Sequence, residues 1–143
     1  MEHDTDEKKI ISKLFVSKES LAERLNSLVD LSKGIISIGT ESGEIFIEDI
    51  SKLSHSEKIF LNLLGSYFAY KSGLRENHHM TLGEIADKIK VPVTTIPSPM
   101  NLLLSEKLAI KMEKGLYQIN LDNYKKVIDF VKKIRNKTVH SEN

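Results

Sequence analysis

Residues 81–108 read Thr81-Leu82-Gly83-Glu84-Ile85-Ala86-Asp87-Lys88-Ile89-Lys90-Val91-Pro92-Val93-Thr94-Thr95-Ile96-Pro97-Ser98-Pro99-Met100-Asn101-Leu102-Leu103-Leu104-Ser105-Glu106-Lys107-Leu108, and the elements they predict decide the fold. Thr81 and Glu84 stand at capping-box spacing and open a short helix with Leu82, Ile85, Ala86 and Ile89 inward. Lys90-Val91-Pro92-Val93 breaks it. A second short helix follows, with Met100, Leu103, Leu104 and Leu108 as its apolar positions. Proline disfavours the α conformation in the residue before it. Pro97 and Pro99 therefore predict an N-cap at Ser98, Pro99 at the first helical position, and an extended or 3-10 lead-in over residues 94–97. Ala109 to Asn120 then reads as a tight hairpin with Gly115 at its turn.

On the N-terminal side, Ser54-His55-Ser56-Glu57 is another capping box, and it precedes Ile59, Phe60, Leu61, Leu63, Leu64, Tyr67, Phe68 and Tyr70. These residues cover more than one face. The segment is expected to be the central helix of the core, with the aromatic residues buried, Gly65 and Ser66 permitting close approach, and Gly73 ending it. On the C-terminal side, Asn120 is expected to cap a helix to about Lys137, with Leu121, Tyr124, Val127, Ile128, Val131 and Ile134 on one side. Phe130 stands off that face and points to a partner surface. Farther out, Ile35–Ile38 and Glu44–Glu48 flank Gly39-Thr40-Glu41-Ser42-Gly43 as a hairpin, whose apolar face needs cover from a helix or from the domain body. An amphipathic helix from about Ser17 to Lys33 carries Leu21, Leu25, Leu28 and Val29, and Gly34 follows it. Residues to Lys9 read as a charged tail, and Ile10 to Val16 fits either a short helix or a strand.

Helix, short helix, turn, second helix and hairpin in that order resemble the winged helix-turn-helix superfamily. Leu82-Gly83-Glu84-Ile85-Ala86-Asp87-Lys88-Ile89 is similar to its "ELA-x-x-L" helix, and Val91-Pro92-Val93-Thr94-Thr95-Ile96 to its "V-P-x-S-T-V" turn. Leu103-Leu104-Ser105-Glu106-Lys107-Leu108-Ala109 is similar to "LE-x-x-GL-I", with Lys107 in place of the usual Gly. Lys111 to Ile119 stands where the wing belongs. The resemblance covers about residues 54–137, follows the MarR and ArsR plan, and has the flavour of a small archaeal member. It implies an α+β fold: a winged-helix domain over 54–143 preceded by a helix and β-hairpin extension over 1–53.

The resemblance also implies double-stranded DNA as partner and a transcriptional regulator as function, with the second helix of the motif in the major groove. Mapped onto this chain, Thr94, Thr95, Ser98 and Asn101 would meet base edges, with Leu102 and Ser105 beside them. Lys90, Lys107, Lys111 and Lys114 would meet phosphates. Yet no Arg or Lys stands on that helix before Lys107, and the prolines shorten its first turn. A second reading follows from that: a winged-helix module for protein–protein interaction, subunit or adaptor of a larger complex, docking its partner at the Pro97/Pro99 segment. The helices over 17–33 and 121–134 are amphipathic enough to build a homodimer.

Composition fits these readings. The chain has 143 residues, 40% apolar and 29% charged, so one compact domain with an appendage is expected. It has no Cys, which removes a disulfide scaffold, a thiol nucleophile and any Cys-ligated zinc. The net charge of +1 hides an asymmetry: −4 over residues 1–53, +1 over 54–79 and +4 over 80–143, enough to steer an anionic partner to the C-terminal half. His78 and His79 are adjacent and lack the spacing that puts two imidazoles on one metal, so no metal is expected. No nucleophile elbow, phosphate-binding loop or carboxylate pair can be named, so neither an enzyme nor a cofactor is expected. The acidic start and the lack of a long apolar run predict a cytoplasmic protein without a membrane span.

Overall fold

The computed structural model describes residues 2–15, 18–48 and 50–138. The chain divides into two compact units, Met1–Asp30 and Leu31–Asn143.

The first unit holds α1 (Glu2–Ser12) and all but the end of α2 (Lys18–Ser32). The expected charged tail is thus helical. Its acidic residues come first and its lysines last, which complements the helix dipole, and Asp4 and Lys8 are one turn apart. Past Ser12 the chain turns, with the Leu14 and Phe15 amides donating to the Ile11 and Ser12 carbonyls. Ser17, where that helix is expected to begin, lies outside the described residues, as does Val16. On α2, Leu28 is buried, whereas Leu21, Leu25 and Val29 stay more than a third exposed.

The second unit is α+β. Gly34, in the left-handed region at φ 81°, ends α2 and leads into an antiparallel hairpin of β1 (Ile36–Ile38) and β2 (Ile45–Ile47), with Ser37 opposite Phe46. α3 (His55–Lys71) follows, and both reciprocal bonds of its capping box form: the Glu57 amide donates to Ser54 Oγ at 3.2 Å and the Ser54 amide to Glu57 Oε1 at 2.8 Å. Ile59, Phe60, Leu61, Leu63 and Leu64 are fully buried, so α3 is the central core helix. Gly65 is where the hairpin comes down on it. A Cβ there would sit 2.7 Å from Ile45 Cγ2, so only glycine permits this approach.

Next come β3 (Met80–Thr81), α4 (Leu82–Ile89), α5 (Pro97–Ser105), β4 (Ala109–Met112), β5 (Leu116–Ile119) and α6 (Tyr124–Thr138). The strands form an antiparallel sheet in the order β3-β5-β4, with Tyr117 between Met80 and Lys111. α6 buries Val127, Ile128, Val131 and Ile134, each contributing roughly 1.5–3 kcal/mol relative to exposure. Two polar contacts fix its C-terminal half. Arg135 Nη1 donates to the Leu31 and Lys33 carbonyls at 2.9 and 2.8 Å, closing the end of α2, and Lys137 Nζ lies 2.7 Å from Glu57 Oε1.

Four expectations are corrected. Phe130 packs on its own domain, edge-to-face with Phe60 at 4.6 Å between ring centres. Asn120 does not cap α6; its side chain donates to the Lys107 carbonyl, and a 3-10 turn over Leu121–Asn123 leads into the helix instead. Tyr67 and Phe68 are half-buried and Tyr70 is exposed, because they sit on the C-terminal turns of α3, where His78 rather than the core lies beside the tyrosine rings. The start of α5 also differs. Ile96 is helical (φ −72°, ψ −41°) and Pro97 takes the first helical position, after a 3-10 turn over Val93–Thr95. The first three amides of a helix have no intrahelical acceptor, so prolines at positions one and three forfeit no hydrogen bond, and fully buried Ile96 holds the entry. A 3-10 lead-in does precede the helix, but over Val93–Thr95 in place of residues 94–97.

No helix among the described residues is long and apolar enough to cross a membrane.

Candidate functional site

α4 and α5 form a pair whose junction decides what is presented outward. The capping box of Thr81 and Glu84 starts α4, with the Glu84 amide 3.1 Å from Thr81 Oγ1 and the Thr81 amide 3.3 Å from Glu84 Oε1. Glu84 Oε2 meets Arg75 Nη2 at 3.5 Å, and Arg75 also donates to the carbonyls of Asn77 and His79, so the loop before α4 is held from within. Lys90 ends α4 in the left-handed conformation at φ 59°, its amide bonded to the Ala86 carbonyl. The 3-10 turn then directs the chain into α5, which is anchored by Met100 and Leu103 inward and by the Ser56 hydroxyl donating to the Pro99 carbonyl at 3.4 Å.

The outward surface carries Thr94, Ser98, Asn101, Leu102 and Ser105, all exposed, whereas Thr95 is half-buried in the turn. Ser98, Asn101, Leu102 and Ser105 recur at helical spacing and share one face of α5. No charged residue lies between Lys90 and Glu106, so this face is neutral. Lys90 and Lys107 are exposed at the ends of the α4–α5 unit, both in the left-handed region, and exposed Lys111 lies on β4. The Lys114 side chain lies outside what the structure describes. Thus Ser98 and Asn101 come together on one helix face, with Thr94 on the turn before it and Lys90 and Lys107 at the ends of the α4–α5 unit.

Lys107 stands where the resemblance has glycine, and the structure shows what accommodates it. Asn120 Nδ2 and Asn123 Nδ2 both donate to the Lys107 carbonyl, at 2.9 and 3.1 Å. Two side-chain amides thereby fix the peptide that the left-handed residue turns outward. The spacing of Asn120 and Asn123 does not announce this, because their shared acceptor is more than ten residues away.

Apolar groups share the surface. Val93 and Leu102 are each 48% exposed and Met112 on β4 is 40% exposed. Sequence reading missed Val93 and Met112; the signal for Val93 was its place in a short turn with no second layer of chain to cover it. Near the end of α5, a groove of about 390 Å³ is lined by Glu106, Leu108, Lys126, Asp129, Phe130 and Lys133, with two carboxylates balancing two ammonium groups.

A second polar cluster sits behind the loop. The His78 ring lies 5.1 Å from that of Tyr70, stacked, and 5.7 Å from that of Tyr67, edge-on, and Ser66 Oγ donates to the His78 carbonyl. Its Nδ1 is buried without a hydrogen-bond partner among the described residues. Burial, then the charges of His79 and Lys71, lower its pKa below the usual imidazole value. Among the described residues no group of three or more His, Asp or Glu could hold a metal ion.

No protein-family model matches the chain, and neither a curated protein nor a solved structure matches it.

Proposed function

We propose that residues 54–138 form a winged helix-turn-helix domain and that the chain is a DNA-binding protein of regulator type. The observation that carries this reading is the order β3-β5-β4 beside the α4–α5 pair: the strand before the first motif helix joins the hairpin that follows the second. In that plan α5 enters the major groove and the β4–β5 hairpin reaches the flanking backbone. Ser98 and Asn101 then face base edges, Asn101 with the donor and acceptor that match an adenine edge, and Thr94 lies at the entry to the groove. Lys90, Lys107, Lys111 and Lys114 meet phosphates. A neutral reading helix framed by lysines gives binding that is mostly electrostatic, with modest sequence preference. The Lys111→Glu/Lys114→Glu variant tests it: retardation of duplex DNA is lost if the hairpin grips phosphate, and retention of full binding contradicts that role.

The second reading, a protein-interaction module, is favoured by one observation. Val93 and Leu102 on the turn and on α5, and Met112 on β4, are large exposed apolar groups on the very elements that would face DNA. Under that reading the Pro97/Pro99 segment docks a protein, and substituting Leu102 by Asp abolishes the contact, whereas the Lys111→Glu/Lys114→Glu variant leaves it intact.

A further inference from the structure

We propose that the free edge of β2 is a docking site for an extended peptide segment of a partner protein, which adds to the β1–β2 hairpin as a further strand. Nothing in it depends on what α5 binds.

The hydrogen-bond ladder shows what that edge offers. The Gly39 amide donates to the Glu44 carbonyl and the Glu48 amide to the Ile35 carbonyl, each at 2.8 Å. Bonding alternates along an antiparallel pair, so with Ser37 opposite Phe46 it is Phe46 that bonds β1, and Ile45 and Ile47 turn their N–H and C=O groups the other way. Beyond the ladder neither makes a hydrogen bond among the described residues. Ile45 is 6% exposed, and a backbone amide so sheltered is nearly always paired.

The edge faces a cleft. Residues 44–47 line a cavity of about 430 Å³ together with Asn62 of α3 and with Asp87, Lys88 and Lys90 at the end of α4. Side chains alternate along a strand, so an unbroken run of residues meets one cleft through its backbone edge. Asn62 lies one turn from Gly65, on the face of α3 where β2 comes down, and is 2% exposed. Its Nδ2 donates to the Lys58 carbonyl at 2.9 Å, whereas Oδ1 has no partner among the described residues. A buried amide oxygen open to a cleft calls for a donor from an occupant.

Width and charge decide which occupant. Spread along the roughly 10 Å that three strand residues span, this volume leaves a channel about 6–7 Å across, which admits a strand at a spacing of about 4.8 Å and excludes a helix about 10 Å wide. The β2 of a second copy is recessed beside its own α4, so two such edges do not reach each other. Glu44 and Asp87 balance Lys88 and Lys90, and none of the four is in an ion pair among the described residues. A neutral wall of unpaired donors and acceptors draws no polyanion and complements the dipoles of a peptide chain, with the lysines for its outer carbonyls and Asp87 for an outer amide. In the added strand, alternate side chains lie over α3 beside Ile45 and Ile47, or outward beside half-exposed Phe46. The segment therefore carries Ser or Thr over Asn62 and an apolar residue next to Phe46.

The probe is a phage-displayed library of random peptides selected on the full chain, and the selected peptide is titrated into isotope-labelled protein by NMR. Bound peptide is expected to slow hydrogen exchange at the Ile45 and Ile47 amides and to leave the Phe46 amide, already bonded to β1, as it was. Ile47→Pro deletes an edge N–H that the hairpin does not use; it is expected to keep the circular dichroism of the wild type and to weaken peptide binding by about tenfold. Should that variant unfold, the wild-type chain suffices. Methylating the peptide's backbone nitrogens one at a time is expected to weaken binding by about tenfold at alternate residues and less at those between. No selected peptide, a bound peptide that leaves exchange at Ile45 and Ile47 unchanged, or a methylation series without alternation overturns the proposal.

Discussion

Gly65 and Lys107 are two residues whose backbone conformation or lack of a side chain is decided by what lies opposite them. In an isolated helix, Gly→Ala gains about 1 kcal/mol. At Gly65 the new methyl would lie 2.7 Å from Ile45 Cγ2 and 3.3 Å from its Cγ1, and overpacking of that kind costs about 1–3 kcal/mol. The balance falls on the destabilising side because the β-branched neighbour is itself buried and cannot swing away. Gly65→Ala is expected to lower the urea midpoint; a raised midpoint would mean that the hairpin yields. Lys107→Gly is expected to act oppositely. It relieves a left-handed residue at φ 60°, a strain of about 1 kcal/mol, and loses part of that to the freer unfolded chain. A net gain of about 0.5 kcal/mol in stability, together with weaker DNA binding, is the expected pair of results.

Two titrating groups add a pH dependence. Burial pushes the Glu57 carboxyl up, but its hydrogen bonds from Lys137 and the Ser54 amide, with the Lys137 charge, outweigh burial and hold it below the ordinary carboxylate value. A lowered carboxyl pKa stabilises the fold above the unfolded value, and that contribution is lost as pH falls through the folded value. His78 acts in another window. Its folded pKa lies below 6.5, so as pH drops under 6.5 the unfolded chain takes up a proton that the folded one does not, and stability falls. Denaturant titrations should therefore show wild type losing stability between neutral and mildly acid pH. His78→Phe should remove the upper part of that loss, and an unchanged profile in that variant would refute the assignment.

At the scale of elements, α6 ties the domain together. Its C-terminal half closes α2 through Arg135 and pairs with the capping residue of α3 through Lys137. Glu57 is only 3% exposed, so truncating Lys137 leaves a buried carboxylate with one fewer partner. Lys137→Met is expected to destabilise by about 1–3 kcal/mol by thermal or urea unfolding, more than a surface ion pair contributes. A change within about 0.5 kcal/mol would show the pair to be peripheral.

How much of this was legible beforehand depended on range. Both capping boxes, the Gly34 and Gly115 turns, the two hairpins and the buried stripes of α4 (Ile85, Ala86, Ile89) and α6 (Val127, Ile128, Val131, Ile134) are local patterns, and each appears where the spacing puts it. α1 escaped because it is charged along its first turns and shows no apolar period there. The roles of Asn120 and Asn123 escaped because their acceptor is distant in sequence. α5 starts two residues earlier than the prolines suggest, because buried Ile96 fixes the entry against its local preference. For the site, the neutrality of the α5 face was readable from residues 91–105, whereas the exposure of Val93 and Met112 became visible only once the elements were in place.

For the whole molecule, the charge distribution is the feature that reaches farthest. Residues 31–143 carry sixteen Lys/Arg and thirteen Asp/Glu, a small excess, so affinity for a polyanion depends on where the lysines stand more than on how many there are. Lys90 and Lys107 end the α4–α5 unit that carries the neutral face, Lys111 lies on β4, and Lys114 follows it in sequence. If each neutralises one phosphate, the slope of log affinity against log salt is about −3 to −4 per domain. The measurement that tests this account most directly is fluorescence anisotropy of a random-sequence duplex titrated with the protein at about 50 and 200 mM salt. Micromolar or tighter binding at the lower salt, weakened by roughly a hundredfold at the higher, is the predicted result. No binding at the lower salt contradicts DNA as the partner and leaves the exposed Val93, Leu102 and Met112 as the surface of a protein-interaction module.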